Sequence, residues 1–203
     1  MAISVRVDVS GAINKLKSLP QKLQDKAIAA ALNKTASSAR TDMKRQISAE
    51  FDIKSSTVLD ALTITKASPK ATLIQAILSA KGKRNRGINA DNPDFGVRVI
   101  LGSYLKRTRA GNWKQVTSKD GGGVSFKISK RGRKTVKSAF IHPKSSQHSV
   151  WQRIGQSGNI RPLVTIATPG MFKTRRIYDK VVENTRQQFI LETDRQIKRF
   201  TGR

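Results

Sequence analysis

A long stretch of helical periodicity after Pro20 restricts the fold more than any other feature of this sequence. Residues 21–49 are rich in Ala, Lys, Gln and Leu. Apolar side chains recur there at spacings of four and seven and form one stripe, made of Ile28, Leu32, Ala39, Met43 and Ile47. That period is typical of a helix with one face in the core, and the opposite face here is basic. We therefore predict one long helix that supplies part of the core.

A second helix is predicted from Pro169 to about Phe200, with Tyr178, Val182, Phe189 and Ile197 on its apolar face. The residues between the two helices form short apolar runs separated by turns, a pattern that indicates β-strands. A hairpin is expected over residues 57–79, with its turn at Pro69. Further strands are expected at 97–101, 113–116, 124–128, 139–141, 150–155 and 160–166. Because the last of these have proline at their margins, they fit the edge of a sheet.

The order of these elements, helix, sheet, helix, predicts an α+β fold. We expect a central, mainly antiparallel sheet flanked by a long N-terminal helix and a C-terminal helix, with extended basic loops. Residues 1–203 are interpreted as a single domain. Residues 1–20 are expected to be an N-terminal strand or arm, because apolar residues alternate with polar ones from Ile3 to Val9. Residues 81–135 are expected to be a basic, loop-rich insertion in the sheet.

Positive charge is the strongest indication of function. The chain has 40 Lys and Arg against 13 Asp and Glu, a net charge of +27. Since like charges repel within a compact protein, this imbalance indicates a polyanion or an acidic protein surface as partner. Between residues 81 and 137 there are sixteen Lys or Arg and three acids. The candidate contacts in these loops are Arg84, Arg86, Lys106, Arg107, Arg109, Arg131, Arg133 and Lys134.

The neighbours of these basic residues are Gly, Thr and Asn rather than aromatic residues. That pattern suits contacts with phosphates that do not depend on base sequence. It lacks the aromatic platforms on which single-strand binders stack bases. Whether the partner is DNA or an acidic protein subunit is left open at this point.

Residues for catalysis or metal binding are sparse. Cysteine is absent, and the two histidines, His142 and His148, have no third ligand at a recognisable spacing. Asp91 and Asp94 flank Pro93 in a loop and are better explained by turn chemistry, although they could hold Mg²⁺ in a nuclease. The glycines at 121–123 precede no Gly-Lys-Ser/Thr motif and are interpreted as a flexible hairpin tip. We expect no enzyme activity, cofactor, metal site or membrane span.

Several short motifs occur in an order that resembles one known family. The predicted first helix contains Ala-Leu-Asn-Lys-Thr-Ala at residues 31–36, and Asp-Ile-Lys-Ser-Ser-Thr-Val follows at 52–58. Later come Ala-Phe-Ile at 139–141, Val-Trp-Gln-Arg-Ile-Gly at 150–155, Ile-Arg-Pro-Leu at 160–163 and Pro-Gly-Met-Phe at 169–172. Together, from about residue 21 to 195, they resemble the minor tail protein Z family of tailed phages and prophages. His142-Pro143 and the long basic region 103–135 depart from the family pattern.

This resemblance implies a structural virion protein made in the host cytoplasm. It implies tail completion at the head-proximal end of the tail, near the terminator, with assistance to head–tail joining and DNA positioning. Expected partners are the terminator, other tail or neck proteins, and phage DNA in the lumen. It also implies a homo-oligomeric ring of about six subunits.

The residue pattern and the family resemblance both predict that three aromatic residues are core or interface anchors, namely Phe140, Trp151 and Phe172. The alternative interpretation of the charge is a free, sequence-independent DNA-binding accessory protein, and a phage nuclease is the third.

Overall fold

The α+β prediction is confirmed in the computed structural model, which describes residues 20–80, 95–100, 103–109, 111–117, 122–141, 150–154 and 159–201. The predicted strand or arm at 1–20 lies outside these residues, except for Pro20. The helices are α1 (Gln21–Glu50), α2 (Ser55–Ala61), α3 (Thr168–Phe172) and α4 (Arg175–Thr201). The strands are β1 (Leu62–Thr65), β2 (Ile77–Ala80), β3 (Arg98–Ile100), β4 (Ser103–Arg107), β5 (Trp113–Thr117), β6 (Gly123–Ser129), β7 (Gly132–Val136), β8 (Ala139–Ile141), β9 (Val150–Ile154) and β10 (Asn159–Pro162).

The chain divides into two compact units. The first contains residues 20–48, 54–80 and 168–201, and the second contains 49–53 with the described residues between 95 and 167. Every strand pair is antiparallel, in ladders β1–β2, β3–β6–β7, β4–β5 and β8–β9–β10. The antiparallel strands are therefore divided among small sheets of two or three strands.

In the first unit α1 packs against α4. The buried face of α1 is built mainly from alanines, and Ala31 packs with Phe189 of α4 and with Leu32. Met43 and Ile47 are fully buried, as the predicted stripe requires, while Ile28 and Leu32 are half-buried. Small side chains at a helix contact reduce the distance between the two axes. Alanine therefore takes the innermost positions.

Asn33, in the middle of the Ala-Leu-Asn-Lys-Thr-Ala segment, holds the chain that follows β1. Its side-chain Nδ2 donates to the Ala67 carbonyl at 3.0 Å, and its Oδ1 accepts the Ala67 N–H at 2.7 Å. Ala67 is 7% exposed, so its peptide groups have little access to water. A carboxamide carries a donor and an acceptor side by side, and can satisfy both backbone groups of one residue.

The predicted hairpin over 57–79 exists, but its strands are shorter than expected. Residues 55–61 are helical, and the strands that pair are β1 and β2, with Leu62 opposite Ala80. The Val58 to Leu62 spacing of four residues is compatible with a helix turn, and both side chains are buried. The apolar run at 71–76 precedes the second strand, so the assignment of strand to residues 57–61 and 71–76 was wrong.

The predicted C-terminal helix is broken into α3 and α4. Lys173 N–H still donates to Pro169, whereas the Thr174 carbonyl accepts from Ile177 and Tyr178 and so begins α4. Threonine is favoured at such a starting position. The buried face holds Ile177, Val181 and Phe189, so the prediction was correct for Phe189 and displaced by one residue at Tyr178 and Val182.

In the second unit, Gly123 is not part of a flexible hairpin tip. It is the first residue of β6, which pairs with β3 and β7 rather than with β5. A Cβ at this position would lie 2.5 Å from the Val136 carbonyl oxygen and 2.8 Å from the Lys137 Cα, and φ is +155°. The missing side chain is therefore what lets β6 approach the end of β7.

Candidate polyanion-binding surface

Three of the basic residues predicted to contact a polyanion lie on the β6–β7 hairpin, whose tip rests on residues 50–52. Lys130 N–H donates to the Glu50 carbonyl at 3.0 Å, and Asp52 N–H donates to the Ile128 carbonyl at 2.8 Å. Phe51 forms an antiparallel bridge with Ser129. Segment 50–52 thus adds a short strand-like pairing to the end of β6 and fixes the hairpin within the second unit.

Two ion pairs accompany this backbone pairing. The Arg131 guanidinium lies 3.5 Å from the Glu50 carboxylate, and the Lys127 ammonium lies 3.5 Å from the Asp52 carboxylate. Arg131 is 65% exposed at its side chain, so the pair is accessible to solvent and contributes little to stability. The two ion pairs matter mainly for the local charge, because the carboxylates of Glu50 and Asp52 offset the positive charges of Arg131 and Lys127.

Arg133 has a structural role as well as a charge. Its Nε donates to the Ser125 Oγ at 3.2 Å, and its Nη2 donates to the carbonyls of Ser125 at 3.0 Å and Gly96 at 2.5 Å. The planar guanidinium therefore joins β7, β6 and the chain that leads into β3. A lysine could not make these bonds in the same geometry.

The other predicted basic contacts are only partly described. Lys134 on β7 and Arg109 in the turn after β4 are exposed. Lys106 and Arg107 lie on β4, opposite Lys114 and Trp113 of β5. Arg84 and Arg86 lie outside the described residues. The structure thus brings Arg131, Arg133 and Lys134 together on one hairpin.

One basic residue of this surface was missed from the sequence. Arg98 of β3 lies directly opposite Ser125, the residue that Arg133 contacts, and it is exposed. The available signal was its position between Val97 and Val99, where alternation places it on the opposite face from its neighbours. Arg98 was not among the predicted contacts because those were taken from the basic loops, and β3 was interpreted only as a strand of the sheet.

The three predicted anchors have different environments. Phe172 is fully buried in the first unit, with its ring centroid 6.3 Å from that of Tyr178. Phe140 and Trp151 are half-buried and face each other across β8 and β9. The Arg153 guanidinium lies 5.5 Å from the Phe140 ring centroid, within cation–π range. A core position therefore suits Phe172, and a partly open one suits Phe140 and Trp151.

A polar groove of about 610 Å³ runs between α1 and α4 in the first unit. At its base the Asp42 carboxylate accepts a hydrogen bond from Asn184 Nδ2 at 2.6 Å and pairs with Arg45 at 2.5 Å. The hydroxyls of Ser37 and Thr41 donate to carbonyls of their own helix, so they offer only acceptor lone pairs to the groove. The Asp42–Asn184 bond thus links the two helices beside their apolar contact.

Groups of side chains that could hold a metal ion, and helices that could span a membrane, are absent from the described residues. Among them no group of three or more His, Cys, Asp or Glu side chains could hold a metal ion. None of their helices is long and apolar enough to cross a bilayer. Both histidines, together with Asp91 and Asp94, lie outside the part of the chain that the structure describes.

The structure is an α+β fold, and the β6–β7 hairpin of its second unit exposes basic side chains. A family model described as prophage minor tail protein Z (GPZ) matches residues 8–200. The chain therefore belongs to the minor tail protein Z family, whose members are structural proteins of phage tails. This assignment implies that it is not an enzyme, and that its partners are among tail proteins. No curated protein and no solved structure matches the chain.

Proposed function

We propose that this protein completes the phage tail at its head-proximal end, near the terminator, and that it assists head–tail joining and DNA positioning there. The observation that carries the proposal is family membership over residues 8–200, together with a net charge of +27. A structural tail protein with such a charge must work beside a polyanion or acidic subunits, because the repulsion otherwise opposes both folding and assembly.

A ring of about six copies around the DNA path is the assembly that fits this role. Such a ring carries roughly 160 positive charges, since each copy contributes +27. The length of the 30-residue α1, about 45 Å, serves as the measure of how much duplex one ring encloses. A duplex of that length carries roughly 26 phosphate charges. DNA in the lumen therefore offsets only a minor part of the charge. Acidic surfaces on the terminator and on other tail or neck proteins would offset the remaining positive charge.

The test is electron microscopy of particles from a strain that lacks the gene, with complementation by the wild-type gene as control. The expected result is the loss of density at the head-proximal end of the tail, with unjoined heads and tails. Normal, infectious particles that lack no density would overturn the proposal.

A free DNA-binding accessory protein gives a different result. It would bind DNA in dilute solution with a steep salt dependence, and it would be absent from purified particles.

A further inference from the structure

We infer that one face of the β3–β6–β7 sheet is a site for a backbone phosphate, formed by Arg98, Arg133 and Thr135 around Ser125, in which the Arg133 guanidinium is already held by hydrogen bonds. This inference rests on the proposed function only for the source of the phosphate, which is duplex DNA at the tail entrance. The site shares Arg133 with the contacts predicted from sequence, but it lies on strands rather than loops and adds Arg98 and Thr135.

The strand register places these residues together. Ser125 of β6 lies opposite Arg98 of β3 on one side and opposite Thr135 of β7 on the other. Side chains directly opposite in adjacent strands share a face, and neighbouring strands lie about 4.8 Å apart. Arg133 precedes Thr135 by two residues and reaches the same face, as its bond to the Ser125 Oγ shows. Arg98 and Arg133 therefore extend from the same face of the sheet, on either side of Ser125.

The charge of this face is not offset within the described second unit. The acids of that part of the chain are Glu50 and Asp52, and they face Arg131 and Lys127 at the hairpin tip. The Arg98 side chain makes no hydrogen bond or ion pair with the described residues and is exposed. Two neighbouring cations without an acid repel each other, so an anion between them stabilises the face.

Arg133 is the donor that is held in place before a ligand binds. Three hydrogen bonds to Ser125 and Gly96 hold the Arg133 guanidinium and leave its Nη1 near Gly96, at 3.8 Å from the position of a Cβ there. Ordering a free arginine side chain on binding costs conformational entropy, and this cost is reduced for Arg133 because its guanidinium is already held. Thr135 is exposed and adds a hydroxyl donor.

A phosphate fits this face better than an acidic protein surface does. The neighbours of Arg133 are small or polar, namely Gly96, Gly132 and Thr135, and Ile100, which shares the face of Arg98, is half-buried. Protein interfaces are usually centred on aromatic and apolar side chains with few charges. Arginine forks that contact backbone phosphates need no such core, and they position a duplex without reading its sequence.

The test compares Arg98→Gln with Lys70→Gln, which removes the same charge from an exposed turn in the first unit. Binding of each purified full-length variant to a short fluorescent duplex is measured by anisotropy over a series of NaCl concentrations. Loss of one phosphate contact lowers the slope of log K against log[salt] by about 0.9, which is roughly eightfold in affinity near 0.1 M salt. We expect this loss for Arg98→Gln, recovery of the slope in Arg98→Lys, and a smaller change for Lys70→Gln.

An Arg98→Gln variant that matches Lys70→Gln in slope and affinity would overturn the site. So would weakened binding of poly-glutamate with unchanged binding of the duplex, since the ligand would then be an acidic protein surface. Circular dichroism of each variant checks the fold, which we expect to be intact because the Arg98 side chain has no hydrogen bond with the described residues to lose. Incorporation of the Arg98→Gln protein into particles is scored separately, so failure of this site and failure of the tail-completion proposal give distinguishable results.

Discussion

Replacement of Asn33 by alanine tests whether the carboxamide clamp on Ala67 holds the first unit together. The change removes two hydrogen bonds, of 3.0 and 2.7 Å, and leaves both peptide groups of a 7% exposed residue without partners. An unsatisfied buried polar group costs about 1–3 kcal/mol. Alanine is the better helix former and recovers about 0.6 kcal/mol. With partial access of water to the loop, the net loss is expected to be about 1–3 kcal/mol.

The assay is thermal and urea unfolding of the purified full-length protein, followed by circular dichroism. For a chain of this length each kcal/mol corresponds to about 2–4 °C in Tm, so Asn33→Ala is expected to unfold about 2–12 °C below the wild type. Ser37→Ala, one turn further along α1, is the matched control. Ser37 is exposed and its hydroxyl donates only to the Asn33 carbonyl of the same helix, so a change within about 0.5 kcal/mol is expected. If Asn33→Ala is as stable as Ser37→Ala, the clamp does not stabilise the fold.

Two further substitutions probe each unit's packing. Gly123→Ala places a Cβ 2.5 Å from the Val136 carbonyl oxygen, so we expect the free energy of unfolding in urea to fall by at least about 2 kcal/mol. The control Gly132→Ala has no atom within 4 Å of its Cβ, and its free energy of unfolding should change by no more than about 0.5 kcal/mol. Equal stability of the two variants would contradict the close approach of β6 to β7. Phe172→Ala empties a fully buried position and should cost about 3–5 kcal/mol, more than Phe140→Ala at its half-buried one; the reverse order in thermal unfolding would refute the assignment of Phe172 to the core.

The long-range order of the fold was predictable because it depends on periodicity. The helix stripe at Met43 and Ile47 and the strands around 98–100, 113–117 and 123–129 follow from repeated spacings that few structures satisfy. Errors occurred where a local pattern fits two structures. The segment 55–61 is short enough to form either a strand or two helical turns, and it is helical because burial of Val58 stabilises that conformation.

The face of α4 and the role of Gly123 depend on contacts that no local pattern contains. Tyr178 is as apolar in its ring as Ile177, and which of the two turns inward is set by the start of α4 at Thr174. Gly123 is in a run of glycines that a loop would also explain. Only the approach of the Val136 carbonyl shows that its lack of a side chain is required by packing.

The β6–β7 hairpin shows why a count of cations ranks candidate contacts poorly. Ranked by exposure alone, Lys134 would be a leading candidate contact. Ordering a free lysine side chain on binding, however, costs up to about 2 kcal/mol of conformational entropy. Arg133 is held by three hydrogen bonds, and Arg131 and Lys127 are partly offset by carboxylates. A held guanidinium loses less conformational freedom when it binds a phosphate, so Arg133 should contribute more per contact than Lys134. The residues that stabilise this sheet and those that bind across it are therefore partly the same.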